Sequence, residues 1–206
     1  ILMDALAEMD ELGIQKILTH GEKAAAYMAD GYARAVNRPG LCMGQQIGAS
    51  NLAAGLRDGY MAGAPIIAIT GGPTTQGRYR HSYQEVEDFA QFDSMTKLSL
   101  QLDDVSRLPD LMRQLFRAVT TGAPKPVHLR LRGSHGQGIE TEADLPLPII
   151  ESEFATIPAF RPEPEPERVR AALAVLAKAQ RPIIVAGGGV TSSGAQAELV
   201  QFAEKM

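Results

Sequence analysis

The residue best placed for chemistry is a carboxylate, Glu22, at the head of a run of small side chains. In Thr19-His-Gly-Glu-Lys-Ala-Ala-Ala-Tyr-Met-Ala-Asp-Gly-Tyr-Ala-Arg34, steps of three and four from Glu22 reach Ala25, Ala26, Ala29 and Ala33. On a helix these share one face. Methyl groups on that face let another backbone or a flat ligand come close, and one carboxylate sits at its N-terminal end. The same spacing supports a plainer use. Thr19 and Glu22 lie three apart and fit a capping box, with Thr19 as N-cap and Glu22 as its reciprocal partner. An acid in the first turn also suits the helix dipole.

Two glycine-bearing turns are the other places where a ligand could approach the backbone. In Gln46-Ile-Gly-Ala-Ser-Asn51, Gly48 permits close approach, Ser50 is a candidate N-cap, and Asn51 offers an amide to a polar heterocycle. The alternative is an ordinary capped helix start. The glycines at 187–189 could bring a backbone up to a phosphate at the next helix N-terminus, but they lack the full dinucleotide spacing. The four histidines, His20, His81, His128 and His135, show neither helical metal-pair spacing nor cysteine companions. His128, between Val127 and Leu129, reads as structural and His81 as a surface residue. There is no Gly-x-Ser-x-Gly nucleophile elbow. Arg78, Arg80, Glu85 and Glu87 read as a solvated face.

The elements that must position these residues follow from the hydrophobic pattern. Residues 1–12 read as a helix ended by Gly13, residues 14–18 as a strand, and the Glu22 helix then runs to about Val36. A turn at 37–40 leads to a short strand from Leu41 to Gly44. A helix is expected from Asn51 to Met61, and then the buried-type strand 66–70. Residues 71–82 read as an ordered loop, 83–92 as a short helix and 96–102 as an alternating strand. Asp103 or Asp104 can cap a helix to Thr121, with Val105, Leu108, Leu111, Leu115 and Val119 as its apolar positions. Residues 127–131 form the last strand of this series. Strands alternating with helices predict an α/β fold, a parallel sheet covered by helices on both faces.

The proline-rich tract 136–166 reads as a linker, ending in the extended, solvated Pro162-Glu-Pro-Glu-Pro166. From 167 a second unit begins: a helix to Gln180, a strand 182–186, the glycine loop 187–194 and a final helix. It has the look of the opening of a larger domain. The sequence starts on Ile1 and stops at Met206 inside a helical pattern, which predicts a piece cut from a longer chain.

Composition sets outer limits. Of 206 residues, 45% are hydrophobic, enough for a sizeable core. A net charge of −4 gives no electrostatic case for nucleic acid or an anionic membrane as partner. No apolar run approaches the ~18 residues of a membrane span. The single cysteine, Cys42, has no partner for a disulfide or a thiolate metal site, which suits a reducing, cytoplasmic setting.

Three blocks in order carry a resemblance. Gly21-Glu-Lys-Ala-Ala-Ala-Tyr-Met-Ala-Asp-Gly-Tyr-Ala-Arg34 resembles the "HEQAAAFMADGYAR" block of thiamine-diphosphate enzymes of the acetolactate synthase group. Gly48-Ala-Ser-Asn51 through Ala64-Pro-Ile-Ile-Ala-Ile-Thr-Gly71 resembles that group's "GPGATN…PVVAITG", and Tyr83-Gln84-Glu85 its "FQE". The likeness continues through residues 120–127 to 181–190. The resemblance implies that residues 1–135 are the pyrimidine-binding domain, with its first strand lying before Ile1, and that 167–206 open a Rossmann-like central domain. Some family members hold FAD in that central domain and others hold nothing. The diphosphate and its Mg2+ would be bound by a C-terminal domain beyond these residues, so the isolated piece is expected to be inactive.

The resemblance further implies that Glu22 hydrogen-bonds the aminopyrimidine ring of thiamine diphosphate and favours its basic imino form. It places Gln84 opposite the reacting centre, and Gly44, Ile47, Gly48 and Asn51 in the turn beside the ring. The implied reaction is decarboxylation of a 2-keto acid such as pyruvate followed by carboligation, with branched-chain amino acid synthesis as one setting. The implied assembly is a homodimer or homotetramer whose active sites lie between subunits. Gly21 stands where the family has histidine, Gly44 and Ile47 where it has threonine and proline, and Tyr83 where it has phenylalanine. A keto-acid decarboxylase or an acyl-transferring relative is the alternative within the class. Outside it, the alternative is a noncatalytic α/β module that binds a nucleotide or a partner.

Overall fold

Why the first unit is a parallel α/β layer can be read from β2 (Ile66–Gly72), a strand buried on both sides along nearly its whole length. Only a strand covered above and below tolerates such an unbroken apolar run. In the computed structural model, which describes residues 8–74, 77–87, 89–133, 145 and 148–206, it is joined by β1 (Gly40–Gly44), β3 (Leu98–Leu102) and β4 (Val127–Arg132). The sheet order is β1-β2-β4-β3 and every pairing is parallel. The expected fold class is what is found.

Alternation along β2 divides the core. Ile66 and Ala68 join Cys42 and the helices α1 (Glu22–Val36) and α2 (Ala49–Ala62) on one face. Ile67 faces the other way, toward Leu111, Leu115 and Val119 of α3 (Leu108–Thr120). Fully buried leucines such as Leu52, Leu56 and Leu115 each contribute about 1.5–3 kcal/mol on leaving water. The alanine face of α1 is used inside the chain: Ala26, Ala29 and Ala33 are buried, and α2 comes so close that a Cβ on Gly55 would lie 2.7 Å from Ala26 Cβ.

Several elements differ from expectation. Residues 14–18 are not a strand; no described strand lies beside them to complete a ladder, and Ile14, Ile17 and Leu18 are exposed. The same holds for residues 182–186, where Ile183 and Val185 are exposed. Of the first helix only residues 8–11 are described, ended by Gly13 at φ +69°. Gly71 and Gly72 belong to β2, and the helix expected at 83–92 is replaced by turns and a 3-10 segment, Phe89–Ser94. Asp104 caps a 3-10 turn, Val105–Arg107, that leads into α3. The expected linker is in part docked: Arg113 and Arg117 of α3 hold Glu151, Phe154 is buried, and the Ile157 N–H donates to the Asn37 carbonyl. The stretch from Pro162 to Pro166 is solvated as expected.

Beyond it lie α4 (Pro166–Leu176), α5 (Gly188–Ser193) and α6 (Gln196–Lys205). The glycine loop is therefore a short helix, closed by Gly194 in the left-handed region. Among the described residues, no helix is long and apolar enough to cross a membrane.

Candidate active site

Glu22 opens α1, but it is not half of a capping box. Gly21 is the N-cap, with extended backbone and no side-chain contact, and the Thr19 hydroxyl donates instead to the Gly21 carbonyl at 2.9 Å. With its hydroxyl turned to a carbonyl, Thr19 satisfies no helix N–H. The Glu22 side chain is released to lie across the start of α2. A Cβ on Gly48 would stand 2.5 Å from Glu22 Cδ, and one on Gly44 3.2 Å from Cγ. Only glycine at 48 therefore admits the carboxylate at this position.

Asn51 Nδ2 donates to Glu22 Oε2 at 3.4 Å, a long bond that orients the carboxylate. Ser50 does not cap α2; Gly48 is the N-cap and no side-chain bond is made there. Ile47, on the same turn, is half-exposed. Of the residues expected at the site, Gly44, Gly48 and Asn51 thus gather around Glu22, and Ile47 sits on the turn that joins them.

Gln84 approaches from the loop 77–87. Its Nε2 donates to Tyr83 Oη at 3.1 Å and, at the limit of a hydrogen bond, to Gln45 Oε1 at 3.5 Å. The second contact links Gln84 to the turn beside Glu22. Its backbone is left-handed, φ +61°. The loop is not merely a solvated face. Glu85 accepts the Ser82 N–H at 2.8 Å and the Tyr79 N–H, and these bonds, Ser82 first, hold its carboxyl below the usual range. Glu87 pairs with Arg78 at 3.0 Å.

The buried polar layer beneath was missed from the sequence except for His128. That ring lies 3.6 Å from Phe92 in a parallel stack, with Nε2 2.8 Å from Thr70 Oγ1 and Nδ1 2.9 Å from Ser99 Oγ. Burial, then the neighbouring Arg130 charge, pushes its pKa down to about 3, so the ring is neutral and structural as expected. Gln46 and Arg130, both 1% exposed, were not anticipated. The signals were a second amide in the turn and the period-2 Val-His-Leu-Arg-Leu-Arg of β4, which buries polar side chains on one face of the sheet. His81 and His20 are exposed, while His135 lies outside the described residues. Cys42 is buried, and its thiol is pushed up to about 12. Added Cβ atoms at 187–189 would meet nothing within 4 Å among the described residues, so no packing there requires glycine. No cluster of three or more His, Cys, Asp or Glu side chains among the described residues could hold a metal ion.

Comparison with known proteins decides the family. The profile of the thiamine pyrophosphate enzyme N-terminal TPP binding domain matches residues 1–92, and that of the same family's central domain matches residues 169–206. The chain belongs to the thiamine pyrophosphate enzymes. It is 35% identical over 204 residues to a probable acetolactate synthase large subunit of Methanocaldococcus jannaschii, covering 98% of this chain and 33% of the relative. It is 30% identical to a glyoxylate carboligase of Escherichia coli O157:H7 (93% of this chain, 32% of the relative) and to a sulfoacetaldehyde acetyltransferase of Alcaligenes xylosoxydans xylosoxydans (99% and 32%). This thiamine pyrophosphate enzyme chain spans about a third of the length of these relatives. Relatives named for three different reactions share this stretch of sequence.

Proposed function

We propose that the chain is the cofactor-activating part of a thiamine-diphosphate enzyme of the acetolactate synthase type, which decarboxylates a 2-keto acid such as pyruvate and joins the remaining carbons to a second carbonyl compound. The observation that carries this is the Glu22 carboxylate, which leaves its helix cap and lies in a cradle of Gly44, Gly48 and Asn51. The cradle suits an aminopyrimidine. It offers one carboxylate for a ring nitrogen, set by glycines that make room for it and by one amide that orients it.

When bound, thiamine diphosphate supplies a carbon nucleophile and a sink for the electron pair left by decarboxylation. The residues of this chain prepare it. Glu22 would share a proton between its Oε and the ring nitrogen, so the exocyclic nitrogen is left as a base. Asn51 holds the carboxylate in place, Gly48 leaves the room that the carboxylate occupies, and Ile47 would border the ring. Gln84 would present its amide to the reacting carbonyl, tied through Gln45 to the same turn. The diphosphate and Mg2+ would be held by residues outside this stretch, on a partner subunit of a homodimer or homotetramer. A cytoplasmic location completes the proposal.

The second reading is a simple keto-acid decarboxylase or acyl-transferring enzyme. It is favoured by Gly21, Gly44, Ile47 and Tyr83, which depart from the acetolactate synthase pattern. The two separate in one assay: the full-length protein is given thiamine diphosphate, Mg2+ and pyruvate, and its products are identified. Acetolactate is the expected product. Acetaldehyde alone, or acetyl transfer to an added acceptor, supports the second reading, and failure to release CO2 from any of a panel of 2-keto acids contradicts both.

A further inference from the structure

Strand β4 alternates apolar and polar side chains. Val127, Leu129 and Leu131 enter the α3 side of the core, so His128 and Arg130 fall together on the opposite face. Arg130 is an expensive residue to bury and its guanidinium is specifically placed. Its stem runs under the end of β2, where a Cβ on Gly72 would stand 2.5 Å from Nε and 3.0 Å from Cγ. Nη2 then donates to the main-chain carbonyl of Val86 at 2.7 Å, and Nη1 lies 3.6 Å from Glu87 Oε2. The same Val86 carbonyl is also reached by Gln46, whose Nε2 donates at 3.3 Å.

Gln46 lies between Gln45 and Ile47 in the turn that cradles Glu22, while Val86 is two residues beyond Gln84. One carbonyl therefore accepts from two donors, one from the Glu22 turn and one from the sheet. The Arg130 bond is charge-assisted and the shorter of the two. Gln84 has a left-handed backbone, a conformation that a non-glycine residue keeps only where its surroundings hold it.

We propose that Gln46 and Arg130 are positioning residues which, through the Val86 carbonyl, hold the Gln84 loop in fixed register with the Glu22 turn. The inference rests on the reading of Gln84 as the residue that meets the substrate. Its consequence is a division of labour: activation of the cofactor depends on Glu22, and the later handling of substrate depends on the Val86 tie.

Arg130 is buried in the sheet and its removal risks the fold, so the decisive variant is Gln46→Ala in the full-length protein. The first readout needs no cofactor. Amide hydrogen exchange in residues 77–87, followed by mass spectrometry, should speed up by about tenfold, the effect of one lost buried hydrogen bond, while β2 and β4 keep their protection. Unchanged exchange in that loop overturns the tie. The second readout uses the loaded enzyme. Turnover should fall tenfold or more, proton exchange at the reactive cofactor carbon should stay within about twofold of wild type, and Gln46→Ala should add nothing in a Gln84→Ala background. Multiplying losses in the double variant, or equal losses in turnover and proton exchange, overturn the positioning role. If the wild-type protein neither exchanges that proton nor turns over a keto acid, the proposed function fails, and the loop measurement still decides the tie.

Discussion

At Gly48 the space for a side chain is already taken by the Glu22 carboxylate, and this fixes what substitution there must do. An added methyl would stand 2.5 Å from Glu22 Cδ, so the carboxylate must rotate away and give up its Asn51 bond. Gly48 is the N-cap of α2 at φ −79°, ψ −6°, a backbone that alanine adopts without strain. Gly48→Ala should therefore cost little stability while turnover of the full-length enzyme falls by about 100-fold, the usual penalty for misplacing a reacting group by about 1 Å. Thermal unfolding beside steady-state kinetics checks this; full activity with an unchanged melting temperature would contradict the placement of Glu22. The place of Glu22 at the head of the helix with the alanine face was legible in the sequence. Its freedom from the cap was not, because the Thr19 spacing suits either role until the Gly21 backbone is seen.

His128 joins three strands: β4 carries it, β2 supplies Thr70 and β3 supplies Ser99. Both ring nitrogens are hydrogen-bonded and the ring must stay neutral. The native pKa is about 3 against an ordinary 6.5, so between these values the unfolded chain binds a proton that the native chain does not. Stability then falls as pH falls through that window, with a slope of about 1.4 kcal/mol per pH unit from this group. Urea unfolding between pH 4 and 6 should show that slope in wild type and lose this component in His128→Gln; equal slopes would contradict a neutral native ring. The parallel sheet itself was readable from the apolar run at 66–70 and the strand at 127–131, set between helical patterns. Residues 14–18 and 182–186 show the same apolar pattern and join no strand ladder among the described residues, because the pattern shows a segment suited to a ladder and not whether a neighbour stands beside it. The glycine run at 187–189 misled in the other direction, since glycines that read as a loop start a short helix.

Across the molecule, the tract after β4 is anchored where its composition suggested a free spacer. Proline and charge say nothing about long-range partners, and the anchor is an ion-pair cluster formed with α3. The Arg117 bond, then Arg113, pulls the Glu151 carboxyl down to about 2 from its ordinary 4.5. Its contribution is present above pH 4.5 and is lost as pH falls from there toward 2. Hydrogen exchange in residues 148–160 should therefore rise as pH drops from 5 toward 2, after correction for the intrinsic rate. Glu151→Gln should show the faster exchange already at pH 6; protection equal to wild type there would contradict the anchor.

The account turns on whether Glu22 activates thiamine diphosphate. The direct test is the rate of proton exchange at the reactive carbon of the bound cofactor, followed by NMR in the full-length protein with and without Glu22→Gln. The account predicts that the variant still binds cofactor while exchange collapses by orders of magnitude. Exchange at the wild-type rate in a cofactor-bound variant would contradict it, leaving Glu22 as no more than the first residue of its helix.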